Sequence, residues 1–224
     1  MADSLERVTA EVVECRKCPR LVAWREQVAR EKRAAYKDED YWARPLPGFG
    51  DPSATLLIVG LAPAAHGGNR TGRIFTGDRS GDWLFGALYR ADYASQPTSI
   101  NRDDGLRLTG AYISACVRCA PPANRPSPDE RDNCLPYIER ELRLLVKVRV
   151  IVCLGQFAYD CVARLTGLRR RPPFRHGQEV PLPAGRWLIC SFHPSQQNTF
   201  TRKLTVPMFD AIFLRARALV QQSP

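Results

Sequence analysis

The chain has 224 residues, of which 44% are hydrophobic, and its 33 Lys and Arg against 23 Asp and Glu give a net charge of +10. This length and apolar content predict a single domain over residues 1–224 with a sizeable core. The basic balance favours a polyanionic partner such as DNA, RNA or an acidic surface. The apolar runs are too short for a membrane helix and the N-terminus lacks a signal-peptide pattern, so we expect an intracellular protein without a membrane partner.

Helices and strands are predicted in alternation along most of the chain. Two helices come first, over residues 4–14 and about 20–36, followed by a Pro- and Gly-rich connection at 37–52. Short apolar runs predict four strands, at residues 55–60, 111–117, 148–155 and 187–191. Further helices are predicted over about 80–89 with Ser80 as the cap, from a capping box at Ser127 to about 146, over 156–165, and from about 205. The alternation predicts an α/β fold, a three-layer α/β/α sandwich with a central four-stranded parallel sheet.

Polar loops follow two of the predicted strands. The first loop, residues 61–78, contains His66, Asn69 and Asp78, and the second, residues 192–198, contains His193 and Asn198. Ligands bind outside the carboxyl ends of parallel strands, so the two loops predict one shared active site.

Eight cysteines in a chain expected to be intracellular favour metal binding or core packing over disulfides. Cys15 and Cys18 have the spacing of half a metal site. Its other half is either Cys116 with Cys119, which indicates zinc, or Cys119 with Cys134, which suits an iron–sulfur cluster. The second pair is favoured because Cys116 lies inside a predicted strand, where a side chain packs, but a protein without metal remains an alternative. The other cysteines are expected in the core, namely Cys153, Cys161 and Cys190.

Four motifs occur in order along the chain: GLAPA at 60–64, TGRIFTGD at 71–78, VRCAPPAN at 117–124 and HPSQQN at 193–198. Together they resemble the family 5 uracil-DNA glycosylases, bacterial and archaeal enzymes of the uracil-DNA glycosylase superfamily. The resemblance implies an α/β/α domain and one structural 4Fe–4S cluster. The ligands that it implies are Cys15, Cys18, Cys119 and Cys134, which would tie the N-terminal helices, residues 1–36, to the sheet.

The resemblance also implies a reaction and a setting. Such enzymes hydrolyse the N-glycosidic bond of a deaminated base in double-stranded DNA and leave an abasic site. We therefore expect a monomer in a prokaryotic cytoplasm, associated with the nucleoid. Leu61 and Ala115 replace an acid and an Asn of related glycosylases, as in family 5, which predicts that hypoxanthine and xanthine are substrates besides uracil.

Glycosidic hydrolysis requires a carboxylate near the sugar cation and donors aimed at the base oxygen. Asp78 is the only acid of the first loop and is assigned the first task, although it could instead cap a helix. His193 and the backbone amides of Ala62 and Ala64 are assigned to the base oxygen. Phe75 is predicted to stack on the flipped base.

The remaining expected contacts are to the base edge and to the DNA. The base-binding candidates are Asn124, His66, Asn69 and Asn198. The DNA-binding candidates are Gln196, Gln197, Arg202 and Lys203, of which the glutamines enter the vacated space and the cations meet phosphates. A basic run at 169–171 either extends this contact or is a solvated surface. His66 and Asn69 are alternatives to Asp78 for holding the attacking water.

Other functions stay open at this point. No lysine precedes Lys203 in the two loops, so an amine-driven strand cleavage is not indicated and the enzyme is predicted to be monofunctional. The alternative is a non-catalytic nucleic-acid-binding module with a structural metal site. A nucleotide hydrolase would need clustered acids for a divalent cation, which the loops lack. The cluster is expected to lie too far from the loops to act on the bond.

Overall fold

The computed structural model describes residues 2–168 and 170–222. Its helices are α1 (Leu5–Val13), α2 (Pro19–Glu31), α3 (Gly68–Thr71), α4 (Arg79–Arg90), α5 (Pro128–Leu144), α6 (Gln156–Leu165), α7 (Gln196–Phe200) and α8 (Val206–Gln222). Its strands are β1 (Phe49–Gly50), β2 (Leu56–Gly60), β3 (Ala111–Ala115), β4 (Val150–Leu154), β5 (Glu179–Leu182) and β6 (Arg186–Ser191). None of the described helices is long and apolar enough to cross a membrane.

The sheet has the strand order β1-β3-β2-β4-β6-β5. Its four central strands, β3, β2, β4 and β6, run parallel and are the four strands that the sequence predicts. The edge strands β1 and β5 are antiparallel additions that the prediction of a four-stranded sheet lacks. They were missed because β1 has only two residues and β5 contains Pro181, which cannot donate a ladder hydrogen bond and is tolerated at an edge.

Alternate side chains of the central strands enter two separate cores. On one face, Ile58 and Val152 pack with the buried sides of α4 and α8. On the other face, Val59 and Cys153 pack with α5 and α6. Strands buried on both faces have no polar side, which explains their uninterrupted apolar runs. The α/β/α class predicted from the sequence is confirmed.

Two helix boundaries differ from the prediction. The cap of α4 is Asp78 rather than Ser80, because the Asp78 side chain accepts a hydrogen bond from the Gly81 amide. Helix α2 ends at Glu31 instead of near residue 36, because Lys32 takes a positive φ of 52° that a continuing helix does not allow.

Candidate active site

The carboxyl ends of the four parallel strands lie at one edge of the sheet. In the register, Gly60 at the end of β2 pairs with Ala115 at the end of β3, and Leu154 at the end of β4 pairs with Ser191 at the end of β6. The two polar loops therefore leave the sheet from the same edge, as the sequence predicts.

Arg70 holds the first loop together from inside. Its buried guanidinium donates to the His66 carbonyl over 2.8 Å and to the Gly77 carbonyl over 2.9 Å. It also forms an ion pair with Glu39 and lies 3.9 Å from the ring centroid of Tyr36. One cation thus fixes two distant points of the loop, and this limits the movement of the residues between them.

Arg73 anchors the same loop to a neighbouring turn. Its buried guanidinium donates to Asp104 Oδ2 over 2.7 Å and to Ser99 Oγ over 2.8 Å. Its Nε donates to Thr76 Oγ1, which lies 2.6 Å from Ser99 Oγ. These bonds fix Arg73 and Thr76 on either side of Phe75, whose φ of 53° is strained for a residue with a bulky side chain.

The Phe75 ring lies over the end of β2 and beside the second loop. A β-carbon added to Gly60 would stand 2.7 Å from Phe75 Cζ, so the ring occupies the space above this glycine. The ring centroids of Phe75 and His193 are 5.8 Å apart, with an interplanar angle of 31°. The structure therefore joins the two loops through a predicted base-stacking residue and a predicted base-oxygen donor.

His193 is half-buried and follows β6. Burial lowers its pKa to about 4, so the imidazole is neutral near pH 7. Among the described residues its ring nitrogens have no hydrogen-bond partner, whereas its carbonyl accepts a hydrogen bond of 2.9 Å from Asn198 Nδ2. Asn198 thus holds the backbone of His193, and a neutral ring N–H remains available to a ligand.

Asp78 combines a half-buried carboxyl with the capping of α4. Its Oδ1 accepts the Gly81 amide over 3.0 Å, and its Oδ2 lies against Gly67. Burial raises its pKa above the ordinary 3.8, against the opposing effect of the Gly81 and Ser80 amides and of Arg70. Both interpretations of this residue are compatible with its position, because a cap that uses one oxygen leaves the other for chemistry.

His66 meets a residue from the connection before the sheet. Its Nδ1 lies 3.0 Å from the Tyr41 hydroxyl, and the two rings meet edge to face. Burial and the charges of Arg33 and Arg70 lower the pKa of His66. The ring is therefore a neutral, oriented group in the first loop.

The remaining base-binding candidates are placed differently. Asn69 is buried and its Nδ2 donates to the Arg25 carbonyl of α2, so the side chain is turned to the N-terminal helices and away from the loop edge. Asn124 is exposed with a φ of 55°, a conformation that Asn tolerates, and no described group binds its side chain. The amides of Ala62 and Ala64 donate no hydrogen bond within the described chain, so both are free to bind an oxygen.

The DNA-binding candidates lie at the surface. Gln196 and Gln197 are exposed on α7, and Arg202 and Lys203 are exposed in the turn after it. On the same helix, the exposed Phe200 lies 4.6 Å from the Arg79 guanidinium at the start of α4. Within the basic run, residue 169 lies outside the described residues and Arg171 pairs with Asp160 over 2.6 Å. Helix α7 and the turn after it therefore present cations, amides and an aromatic ring together.

Three predicted ligand cysteines share one small apolar cluster. Cys18, Cys119 and Cys134 are buried there, and Cys15 is half-buried near Tyr137. Cys116 packs in a different core beside Cys161. Ala62 of the first loop packs directly against the three-cysteine cluster. The cysteines thus border the first loop more closely than the sequence analysis expects.

Comparison with known proteins decides the family. Residues 47–217 match the model of the uracil DNA glycosylase superfamily. The type-5 uracil-DNA glycosylase of Thermus thermophilus is 54% identical over 206 residues, which cover 92% of the chain and 93% of that protein. The type-5 uracil-DNA glycosylase of Mycobacterium leprae is 52% identical over 221 residues, which cover 97% and 96%. The chain belongs to the type-5 uracil-DNA glycosylases. The resemblance carried by the four sequence motifs is thereby confirmed.

A more distant comparison supports the same placement. The type-4 uracil-DNA glycosylase of Archaeoglobus fulgidus is 30% identical over 199 residues, which cover 86% of the chain and 82% of that protein. The lower identity to type 4 and the higher identity to type 5 agree with the motif-level assignment to family 5.

The cysteines of this type-5 glycosylase suit an iron–sulfur cluster chemically. In the described part of the chain, no three His, Cys, Asp or Glu side chains converge closely enough to hold a metal ion as they stand. The sulfur set is nevertheless the one that iron–sulfur clusters use. Beside it, buried N–H groups of Arg25 and Arg118 lack partners among the described residues, and the Arg118 backbone amide donates to Cys134. Orphaned donors around four sulfurs are what an anionic cluster would satisfy.

Sequence reasoning missed three residues that shape the candidate site. Arg70 and Arg73 lie within a predicted polar loop, and two arginines within a loop that must be rigid are a usable signal. Tyr41 was hidden in a Pro- and Gly-rich connection, and only the fold brings it to His66. Burial of a cation depends on the partners that surround it, so a single sequence does not reveal it.

Proposed function

We propose that the chain is a monofunctional DNA glycosylase that hydrolyses the N-glycosidic bond of uracil, hypoxanthine and xanthine in double-stranded DNA. The observation that carries the proposal is the meeting of Phe75 and a neutral His193 at the carboxyl edge of the sheet, with Asp78 in the adjoining loop. An aromatic face, a neutral donor and a carboxylate are the groups that removal of a flipped base requires.

Binding of the base begins with stacking. A base that leaves the duplex loses its neighbours at a cost of a few kcal/mol. Stacking on an aromatic ring returns about 1–3 kcal/mol, and Phe75 supplies the ring. The cations Arg202 and Lys203 then hold the phosphates, while Gln196 and Gln197 enter the space that the base leaves. Asn124, exposed on the loop after β3, supplies a donor and an acceptor to the base edge.

Departure of the base develops negative charge on its oxygen. The neutral imidazole of His193 donates a hydrogen bond to this oxygen, and the amides of Ala62 and Ala64 add two further donors. Such preorganised donors contribute about 3–4 kcal/mol each to the transition state. A neutral donor keeps its proton, so the base leaves as an anion.

Asp78 serves the sugar side of the bond. Its carboxylate stabilises the sugar cation and accepts a proton from the attacking water, which then adds to C1′. The raised pKa of Asp78 makes the carboxylate a stronger base than an exposed Asp. Tyr41 occupies Nδ1 of His66, so Nε2 is the ring nitrogen of His66 left to orient the water.

The proposal includes a 4Fe–4S cluster held by Cys15, Cys18, Cys119 and Cys134. When bound, it supplies a covalent cross-link between three segments of the chain. Because these cysteines come from the turn between α1 and α2, from the loop after β3 and from α5, the link would fasten the N-terminal helices beside the first loop.

The range of bases that the enzyme removes follows from the absence of polar side chains at two positions, one in the first loop and one in β3. Leu61 and Ala115 offer no side-chain donor or acceptor to distinguish bases. The bases must then be distinguished by backbone amides and by Asn124. The side-chain amide of Asn124 can rotate and so exchange the positions of its donor and its acceptor. This arrangement supports removal of several deaminated bases.

A labelled duplex with a single G·U pair tests the proposal, with alkali added to break abasic sites. We expect product from the wild type and a loss of rate of about tenfold or more in both Asp78→Asn and His193→Ala. Asp82→Asn is the matched control, since it removes an exposed carboxylate one turn into the same helix. Duplexes with hypoxanthine or xanthine test the base range in the same assay.

Two results would refute the assignment. The first concerns wild-type protein that is brown, and therefore loaded with the cluster, and that binds the duplex. If this protein releases none of the deaminated bases, a non-catalytic binding module is favoured. Full activity of Asp78→Asn would remove the carboxylate from the mechanism.

A further inference from the structure

Arg25 of α2 is a buried cation in unusual surroundings. Only 2% of its surface is exposed. Its Nη1 donates to Cys119 Sγ over 3.1 Å and to the Cys15 carbonyl over 3.4 Å. Its Nε is buried and has no partner among the described residues. Two of the four proposed cluster ligands therefore surround this guanidinium.

No carboxylate neutralises Arg25 within the described chain. The next residue, Glu26, pairs with Arg16. Arg118, the second buried arginine beside the cysteines, differs from Arg25 in this respect, because it pairs with Glu141 over 2.6 Å. Within the part of the chain that the structure describes, Arg118 thus has a counter-ion and Arg25 has none.

Burial of an unpaired cation costs several kcal/mol, which folded proteins avoid by pairing the charge. A neutral thiol at Cys119 does not offset this cost. An iron–sulfur core with four thiolate ligands does, because it carries net negative charge and its sulfur atoms accept N–H hydrogen bonds. The position of Arg25 is explained if the cluster is its anion.

We infer that Arg25 is the dedicated counter-ion of the 4Fe–4S cluster and sets its reduction potential, an inference that rests on the cluster proposed above. Reduction adds negative charge to the cluster, so a nearby buried cation stabilises the reduced form more than the oxidised form. Removal of this cation shifts the potential to more negative values and weakens retention of the cluster. Arg25 acts here as a positioning and charge-compensating residue, since its contacts are to the proposed cluster ligands.

The test uses the brown, cluster-loaded protein and measures the reduction potential by an EPR-monitored redox titration, together with iron content and cluster absorbance. Arg25→Gln removes the charge, and Arg25→Lys retains it. Arg30→Gln is the matched control, because Arg30 is an exposed arginine of the same helix. We expect a more negative potential and faster loss of iron in air for Arg25→Gln, and values close to the wild type for the other two variants.

Each outcome has a separate meaning. An unchanged potential in fully loaded Arg25→Gln would overturn the inference and leave the glycosylase proposal intact. If Arg25→Gln does not retain iron, Arg25→Lys decides: loading and potential close to the wild type support a counter-ion, and equal loss of iron refutes it. Wild-type protein without iron would refute the cluster, while the uracil-release assay still tests the enzyme.

Discussion

The carboxylate of Asp78 fills the space that a β-carbon on Gly67 would occupy. The two residues flank residues 68–77 of the first loop, a segment that Arg70 closes by binding the His66 and Gly77 carbonyls. The absence of a side chain at Gly67 thereby allows the carboxylate to lie inside the loop. The carboxylate of Asp78, which is the proposed general base, is held by a steric fit as well as by hydrogen bonds.

Replacement of Gly67 tests this fit. In Gly67→Ala the new methyl group overlaps Asp78 Oδ2, so the carboxylate must move while the rest of the fold remains. A displacement of about 1 Å costs roughly 10²-fold in rate, and we expect a loss of that order in kcat on a G·U duplex. Gly86→Ala is the control, because its methyl group would meet only the flexible end of Arg90, at 3.2 Å. An unchanged kcat in Gly67→Ala would show that the position of Asp78 is not needed.

The capping role of Asp78 predicts a separation of stability from activity. Asn caps a helix as well as Asp does, whereas Ala costs about 1 kcal/mol. Burial raises the pKa of Asp78, so its ionised form is disfavoured in the folded state and a neutral Asn avoids this penalty. In urea unfolding at pH 7, we expect Asp78→Asn to be at least as stable as the wild type and Asp78→Ala to be less stable than Asp78→Asn by about 1 kcal/mol. Equal stability of the two variants would contradict the cap.

His193 predicts a pH dependence of stability. Its pKa is about 4 in the folded protein against 6.5 for the ordinary imidazole, so the unfolded chain binds more protons between these values. Stability from this group is complete above pH 6.5 and is lost as the pH falls to about 4, by at most about 3 kcal/mol. Unfolding free energies of the wild type and His193→Gln, measured from pH 7 to 4, should diverge over this window.

An NMR titration gives the direct measurement. The imidazole protons of His193 should change shift with a midpoint near pH 4. A midpoint near pH 6.5 would show that the His193 ring carries a positive charge in the lower part of the physiological pH range. It would thereby remove the argument for a neutral donor.

The ion pair of Arg73 with Asp104 predicts a stability effect in the first loop. Both side chains are buried, so Arg73→Gln leaves a carboxylate without its cation, and we expect a loss of about 3–5 kcal/mol at pH 7. Although burial raises the pKa of Asp104, its bonds to Arg73 and to the amides of Leu106 and Ile100 lower it to about 2. The stabilisation is therefore present above pH 3.8 and disappears as the pH falls toward 2.

A double variant separates charge from packing at this pair. Arg73→Gln with Asp104→Asn removes the unpaired charge and should recover part of the lost free energy of unfolding. Urea unfolding of the four proteins completes the cycle. A double variant that is as unstable as the sum of the single variants would mean that the pair is not coupled.

The central architecture follows from the sequence because its signals are local. Runs such as residues 150–154 are apolar throughout, which indicates a strand covered on both faces, and Ser127 with Glu130 forms the predicted capping box. The edge strand β5 has no such signal, because its burial alternates along the strand and the exposed position is Pro181. Its pairing with β6 depends on long-range contact.

The site was predictable to the level of its loops but not of its interior. Phe75 and His193 were placed together by the rule for strand ends, and the structure brings their rings into contact range. The sequence predicts Asn69 at the same site, yet its side-chain amide binds the Arg25 carbonyl. A loop residue can point to either side of its backbone, and one sequence does not contain that choice.

The Phe75 ring has a further consequence, because it belongs to the main apolar cluster that α4 and α8 form on one face of the sheet. A base stacked on this ring would extend the protein core outward by one layer. Substrate affinity and fold stability would then depend on the same packed surface. A substitution deep in that cluster, such as one at Leu84 or Ile58, would change how tightly a damaged base is held without touching it.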